Sequence, residues 1–154
     1  WRIIDLSKDL YLSLSEVSEA LNRCQIAGLL SPNKKEVFRI SLLNFLIYGL
    51  KHVFPTKPGA TVYGIPTSHS ASPLSEEIVS NGIEYVWEDA NGEVMGQSIE
   101  PFYNNVTKAV KKDHKLHELL ALVDALRVGR AREFNMAKEM LKERFTLEQS
   151  LQTI

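Results

Sequence analysis

The sequence predicts a mainly α-helical fold with one small β-hairpin, and three observations carry this. Apolar residues recur at helical spacing near both ends of the chain. Asn91-Gly92, flanked by alternating residues from Tyr85 to Met95, is the strongest local hairpin signal. Gly, Pro, Ser and Thr concentrate between these regions, from Thr56 to Leu74. With 154 residues, 44% of them hydrophobic, the chain can bury an extensive core, and an ordered fold is expected. Three regions follow: 1–55 a helix-turn-helix region with a central helix, 56–100 an extended loop and β-hairpin, and 101–154 a C-terminal helical region.

The first helix is set by Ile3, Ile4, Leu6 and Leu10. Ser13-Leu14-Ser15-Glu16 is a capping box, so a second helix begins at Leu14 with Ser13 as its cap. Val17, Ala20, Leu21 and Cys24 form its buried stripe, Ser15, Glu16, Ser18, Glu19, Asn22 and Arg23 face outward, and Gly28 stops it. Val37 to Phe54 is apolar on most sides and predicts a central helix, ended by Pro55. Arg39, Asn44, Lys51 and His52 make the same run a poor membrane span. Thr56 to Leu74 reads as an extended crossing loop. The Asn91-Gly92 segment predicts an antiparallel ribbon, with Glu84, Glu88, Asp89 and Glu93 around it. Pro101 suits the first position of a helix reaching Lys112, and Asp113 caps the next. Leu116, Leu119, Leu120, Val123 and Leu126 form the stripe of that helix, which Gly129 ends. A last helix from about Arg130 carries Phe134, Ala137, Leu141 and Phe145 on one face. This pair of helices either closes the core or makes a dimer contact, since both use the same stripe.

Charge is unevenly distributed. Residues 1–58 hold eight Lys/Arg against five Asp/Glu, residues 59–107 hold none against seven, and residues 108–154 hold ten against seven. The acidic middle would repel phosphates, so any nucleic-acid contact belongs to the ends. A single cysteine, Cys24, excludes an internal disulfide and fits a reducing cytoplasm, where it reads as a small buried hydrophobe. The opening at Trp1 rather than Met suggests that an upstream segment was removed.

Residues 5–30, DLSKDLYLSLSEVSEALNRCQIAGLL, resemble the second and third helices of bacterial winged-helix transcriptional regulators. Leu6, Leu10, Leu12, Ser13, Val17, Ala20, Leu21, Ala27, Gly28, Leu29 and Leu30 carry the match. The resemblance implies a winged-helix-like, sequence-specific binder of double-stranded DNA, a repressor or autoregulator acting as a homodimer. It places Ser15, Ser18, Asn22 and Arg23 of the recognition helix nearest the base edges. Ser13 and Glu19 join that candidate face, a glutamate being able to accept from a cytosine amino group. Lys34 and Lys35 just beyond are candidate phosphate contacts. The sequence departs from the family where Ser7 replaces an alanine, where Tyr11 replaces the glycine of the turn, and after Leu30, where no two-stranded wing is evident. The segments GIPTSHSASPL and HELLALVDALRVGRARE extend the similarity to a group of bacterial regulator-like proteins. That group implies a place beside nucleotidyltransferase-type toxins, hence an antitoxin role with a toxin as protein partner. The alternative from the residues themselves is a protein-interaction module in which the two helices are scaffold and the acidic middle holds a basic partner.

Catalysis and metal binding have little in their favour. Ser68-His69-Ser70 lacks the Gly-x-Ser-x-Gly surround of a nucleophile elbow, and adjacent residues do not normally present both side chains to one atom. His114 and His117 stand three residues apart without a third ligand in sequence. Neither an enzyme, a metal site nor a cofactor is expected, and no membrane partner.

Overall fold

A computed structural model describes the backbone of residues 1–152 and the side chains of residues 1–146; residues 153 and 154, within the predicted C-terminal region, lie outside the described residues. The architecture is mixed, with seven α-helices and a small three-stranded sheet among the described residues. The helices are α1 (Ile3–Leu10), α2 (Leu14–Ile26), α3 (Arg39–Tyr48), α4 (Leu50–Val53), α5 (Val106–Lys112), α6 (His114–Val128) and α7 (Ala131–Gln152). The strands are β1 (Thr61–Pro66), β2 (Tyr85–Glu88) and β3 (Val94–Ser98). None of the described helices is long and apolar enough to cross a membrane.

Four sequence expectations need correction here. The run from Val37 to Phe54 is two helices, because Gly49 interrupts it after capping α3 at the Phe45 carbonyl. It is also less central than its composition suggests: Ile47 and Leu50 are buried, whereas Ile40 and Tyr48 are 68% and 66% exposed. The Thr56–Leu74 stretch is not simply a loop, since it contains β1 and two 3-10 turns, Ser68–Ser70 and Leu74–Glu76. The helix expected from Pro101 begins at Val106.

The fourth correction concerns the ribbon. Asn91-Gly92 does make a tight turn, with the Gly92 amide donating to the Asp89 carbonyl at 2.9 Å. The strands on either side do not form an antiparallel hairpin; they run parallel, pairing Tyr85 with Gln97 and Val86 with Ser98. Each instead pairs antiparallel with β1, β2 through Gly64–Glu88 and Pro66–Val86 and β3 through Thr61–Gln97 and Gly64–Val94, so that the three strands close on themselves. The turn signal is local, whereas the partner strand is chosen by burial of Val86 and Trp87. Gly64 and Gly92 permit this closure. A Cβ at Gly64 would collide with the Trp87 carbonyl oxygen, and one at Gly92 would collide with the Gly64 backbone.

Helix α6 serves two apolar clusters. Leu122 and Leu126 pack with Ile47, Leu50, Leu74, Ala137 and Leu141, while Leu116 and Leu120 cover Trp87, Ile99, Val106 and Val110. Asp113 caps α6 as expected, accepting from the Leu116 amide at 3.0 Å, and Gly129 ends it. The α6–α7 hairpin therefore closes the core of the single chain, with Ala137 and Leu141 fully buried.

A charged residue lies at the centre of this packing. Asp124 Oδ2 accepts from Thr67 Oγ1 at 2.6 Å and from Trp87 Nε1 at 2.8 Å, and its Oδ1 accepts from Arg127 Nη2 at 2.8 Å. Arg127 also donates to the Glu100 carbonyl at 2.7 Å and lies over the Phe102 ring, 4.1 Å from its centroid. Burial pushes the Asp124 carboxyl above its usual range, opposed by Arg127, Thr67 and Trp87. Asp124→Ala would leave the Arg127 guanidinium buried without its counter-ion, so urea unfolding should show a loss of about 3–5 kcal/mol. Thr67→Val, which removes one donor of several, should cost about 1–2 kcal/mol.

Candidate nucleic-acid interface

The α1–α2 turn is built at Tyr11, which ends α1 in the left-handed conformation at φ 58° and donates its amide to the Ser7 carbonyl. Glycine is usual in such a position because a Cβ is strained there by about 1 kcal/mol. Tyr11 has compensating contacts that sequence inspection cannot show. Its carbonyl accepts from Asn105 Nδ2 at 2.9 Å, the Leu10 carbonyl accepts from Tyr103 Oη at 2.7 Å, and Lys112 Nζ stands 5.1 Å from the ring centroid. The turn is thus tied to the segment leading into α5.

Helix α2 starts as the sequence predicts. Ser13 Oγ accepts from the Glu16 amide at 3.1 Å, and Glu16 Oε2 accepts from the Ser13 amide at 2.8 Å, satisfying two terminal donors. Val17 is the one fully buried residue of α2, while Ala20, Leu21 and Cys24 are half-buried. Ser15, Glu16, Glu19, Asn22 and Arg23 are exposed, and Ser18 is half-buried.

The chain after α2 holds a feature that the apolar pattern did not announce. Gly28 takes a positive φ of 77°, and the strand segments then pair through a single bridge, Leu30 with Val37. The Ser31 amide donates to the Glu36 carbonyl at 2.9 Å and the Phe38 amide to the Leu29 carbonyl at 2.9 Å. Ser31 organises the tip: its hydroxyl donates to Asn33 Oδ1 at 2.6 Å and accepts from the Glu36 amide at 3.0 Å. A minimal hairpin therefore follows α2 and carries Lys34 and Lys35 at its tip. The legible signal for it was Ser31-Pro32-Asn33, a turn-forming sequence between apolar pairs.

The predicted contact residues fall into three small groups. Asn22 Oδ1 accepts from Lys34 Nζ, which joins the helix face to the hairpin tip. Glu19 and Arg23 approach to 4.0 Å on successive turns, but both side chains are 71% exposed, so this pair is weak and readily exchanged for an external partner. Ser13 and Ser15 hydroxyls lie 3.3 Å apart. Since Ser13 already caps α2, it is less available to a base edge than the others. Lys35 is exposed, with its amide fixed by Asn33 Oδ1 at 3.0 Å.

The other candidate groups lie away from this face. His69 Nε2 faces the Ile83 carbonyl at 2.7 Å and so donates to it, Ser70 Oγ accepts from the Tyr85 amide at 2.9 Å, and Ser68 Oγ is buried with no partner. Ser70 Oγ also stands 3.5 Å from His69 Nε2, but that nitrogen carries the proton it gives to Ile83 and so has no lone pair to take a proton from the hydroxyl. His117 Nε2 donates to the Pro66 carbonyl at 2.8 Å, while His114 meets Glu118 at 3.2 Å. Among the described residues no group of three His, Cys, Asp or Glu is placed to hold a metal ion.

Comparison of the chain with protein-family models, with curated proteins and with solved structures finds no match.

Ser13→Ala should lower stability by about 1 kcal/mol in urea unfolding, because α2 then has no side-chain cap. Tyr11→Gly should be nearly neutral, because relief of about 1 kcal/mol of backbone strain is offset by removal of the lysine–ring interaction, whereas Tyr11→Ala should destabilise.

In the acidic region, the Lys111 ammonium bonded to Asp89 at 2.9 Å holds that carboxyl below its ordinary value of 3.8, with the Asn91 amide adding to the effect. A depressed carboxyl contributes stability above its unfolded value and loses it as the pH falls through the folded one. Lys111→Met should therefore destabilise the protein at pH 7 by about 1 kcal/mol or less, with the difference from the parent closing below pH 3.8.

Proposed function

We propose that this protein binds double-stranded DNA in a sequence-specific manner, with α2 as the helix entering the major groove and the Leu30–Val37 hairpin following the backbone. The observation that carries this reading is the capped helix α2, with an exposed polar face, followed directly by a hairpin that bears Lys34 and Lys35 at its tip. A helix face bearing Ser15, Ser18, Asn22 and Arg23 then stands beside two lysines suited to phosphate. Glu19 either accepts from a cytosine amino group or stays paired with Arg23. One such face has few positive charges, so we place the repressor or autoregulator as a homodimer reading two half-sites about one helical turn apart.

A second reading is favoured by Glu16 and Glu19 on that face, and by the exposed Glu88, Glu93 and Glu100 of the acidic region. In it the chain is a protein-interaction module, such as an antitoxin, that holds a basic partner.

Fluorescence anisotropy with DNA from upstream of the protein's own coding region, against a scrambled duplex, separates the two. The regulator reading expects salt-sensitive, sequence-dependent binding, at least ~10-fold weaker for Asn22→Ala with Arg23→Ala at unchanged melting temperature. Lys34→Ala with Lys35→Ala should weaken both duplexes alike and reduce the slope of log affinity against log salt by about one for each lysine that met a phosphate. Absence of any sequence-dependent binding at about 1 μM protein would discard it.

A further inference from the structure

We infer that the apolar face made by α1, the first residue of α2 and the segment 37–40 binds the same face of a second copy of this chain. Ile3, Ile4, Leu14, Val37, Phe38 and Ile40 are between 38% and 68% exposed, and α1 has no fully buried residue although its apolar spacing is that of a packed helix. Trp1 joins the two parts of the face. With Val37, Phe38 and Ile40 it walls a groove of about 660 Å³, while Ile4 and Leu14 line a second groove of about 370 Å³.

The area fits a second copy. With large side chains of roughly 150–250 Å² each, these six expose on the order of 500 Å² of apolar surface, more than the few hundred that a monomer ordinarily leaves in one patch. Two such faces with a polar rim reach the size of about 1,200 Å² at which specific interfaces begin. Charge points the same way. A two-fold contact lays a patch on itself, so a patch of one sign would repel its copy. This face carries both signs: Arg2 is bonded to Asp5 at 2.8 Å, and in the larger groove Glu36 stands in sequence between Lys35 and Arg39. Exposed apolar residues elsewhere stand in smaller groups, such as Tyr63 opposite Met95 on the acidic sheet. The stripe of the α6–α7 hairpin, the other surface suited to dimerisation, is taken up inside the single chain. The inference rests on the homodimer of the regulator reading and names its surface.

The test is sedimentation equilibrium of the whole chain without DNA. From about 1 to 200 μM protein the mass should pass from monomer to dimer, as suits an interface of this size. Ile4→Glu with Ile40→Glu alters two exposed side chains and should leave a monomer at about 200 μM with an unchanged circular dichroism spectrum. Val79→Glu, at an exposed position outside the face, should dimerise as the parent does. If the double variant loses its helical spectrum, Ile40→Glu alone should weaken association by at least ~10-fold. A parent chain that stays monomeric at about 200 μM overturns the assignment, as does a folded variant that dimerises as the parent does. A monomeric parent that sediments with phosphatidylserine-containing vesicles overturns it in favour of a membrane surface. The two readings fail separately: a monomer with sequence-dependent DNA binding removes this surface alone, and a dimer without DNA binding removes the regulator reading alone.

Discussion

The ion pair between Asp124 and Arg127 is the interaction on which the rest of the fold depends. Both side chains are almost wholly removed from water, at 0% and 4% exposure, so each carries a desolvation cost that only its partners offset. Those partners come from separate parts of the chain: Thr67 after β1, Trp87 in β2, the Glu100 carbonyl after β3, and the Phe54 carbonyl after α4. Apolar contact alone is non-directional and would let the small sheet slide over α6. Four directed hydrogen-bond partners remove that freedom, which is the role in which a buried polar network outweighs its modest net contribution to stability.

The α1–α2 pair is held on a different principle. Val17 is the one residue of α1 and α2 that is fully buried, and neither helix contributes to the two large apolar clusters. Tyr103 and Asn105 add directed bonds, donating to the carbonyls of Leu10 and Tyr11. Such bonds define an orientation while adding little burial. The candidate DNA-reading helix is therefore positioned relative to α5 by its N-terminal turn, and its outer face is left free of the core.

Charge follows the same division. The acidic residues between Gly59 and Thr107 surround the sheet, where Asp89 is neutralised by Lys111 from α5. The positive groups of the candidate interface, Arg23, Lys34 and Lys35, are on α2 and the hairpin after it. Glu16, Glu19 and Glu36 lie on the same two elements and balance these charges, whereas exposed Glu88 and Glu93 leave the sheet acidic.

What the sequence determined by itself is local. The Ser13–Glu16 capping box, the Asp113 cap, the Gly129 stop and the apolar stripe of α6 each involve residues within one or two helical turns, so spacing suffices to read them. The same holds for the exposed residues of α2. Tertiary structure decided whatever required a distant partner. Asn91-Gly92 specified a turn, but which strand covers Trp87 depended on β1, more than twenty residues earlier. The hairpin at Lys34 rests on one bridge and the Ser31 hydroxyl, too short for an alternating pattern to reveal. Asp124 reads in sequence as one polar residue among the leucines of α6. Its partners at Thr67 and Trp87 lie 57 and 37 residues away, and only the closed fold brings them to it.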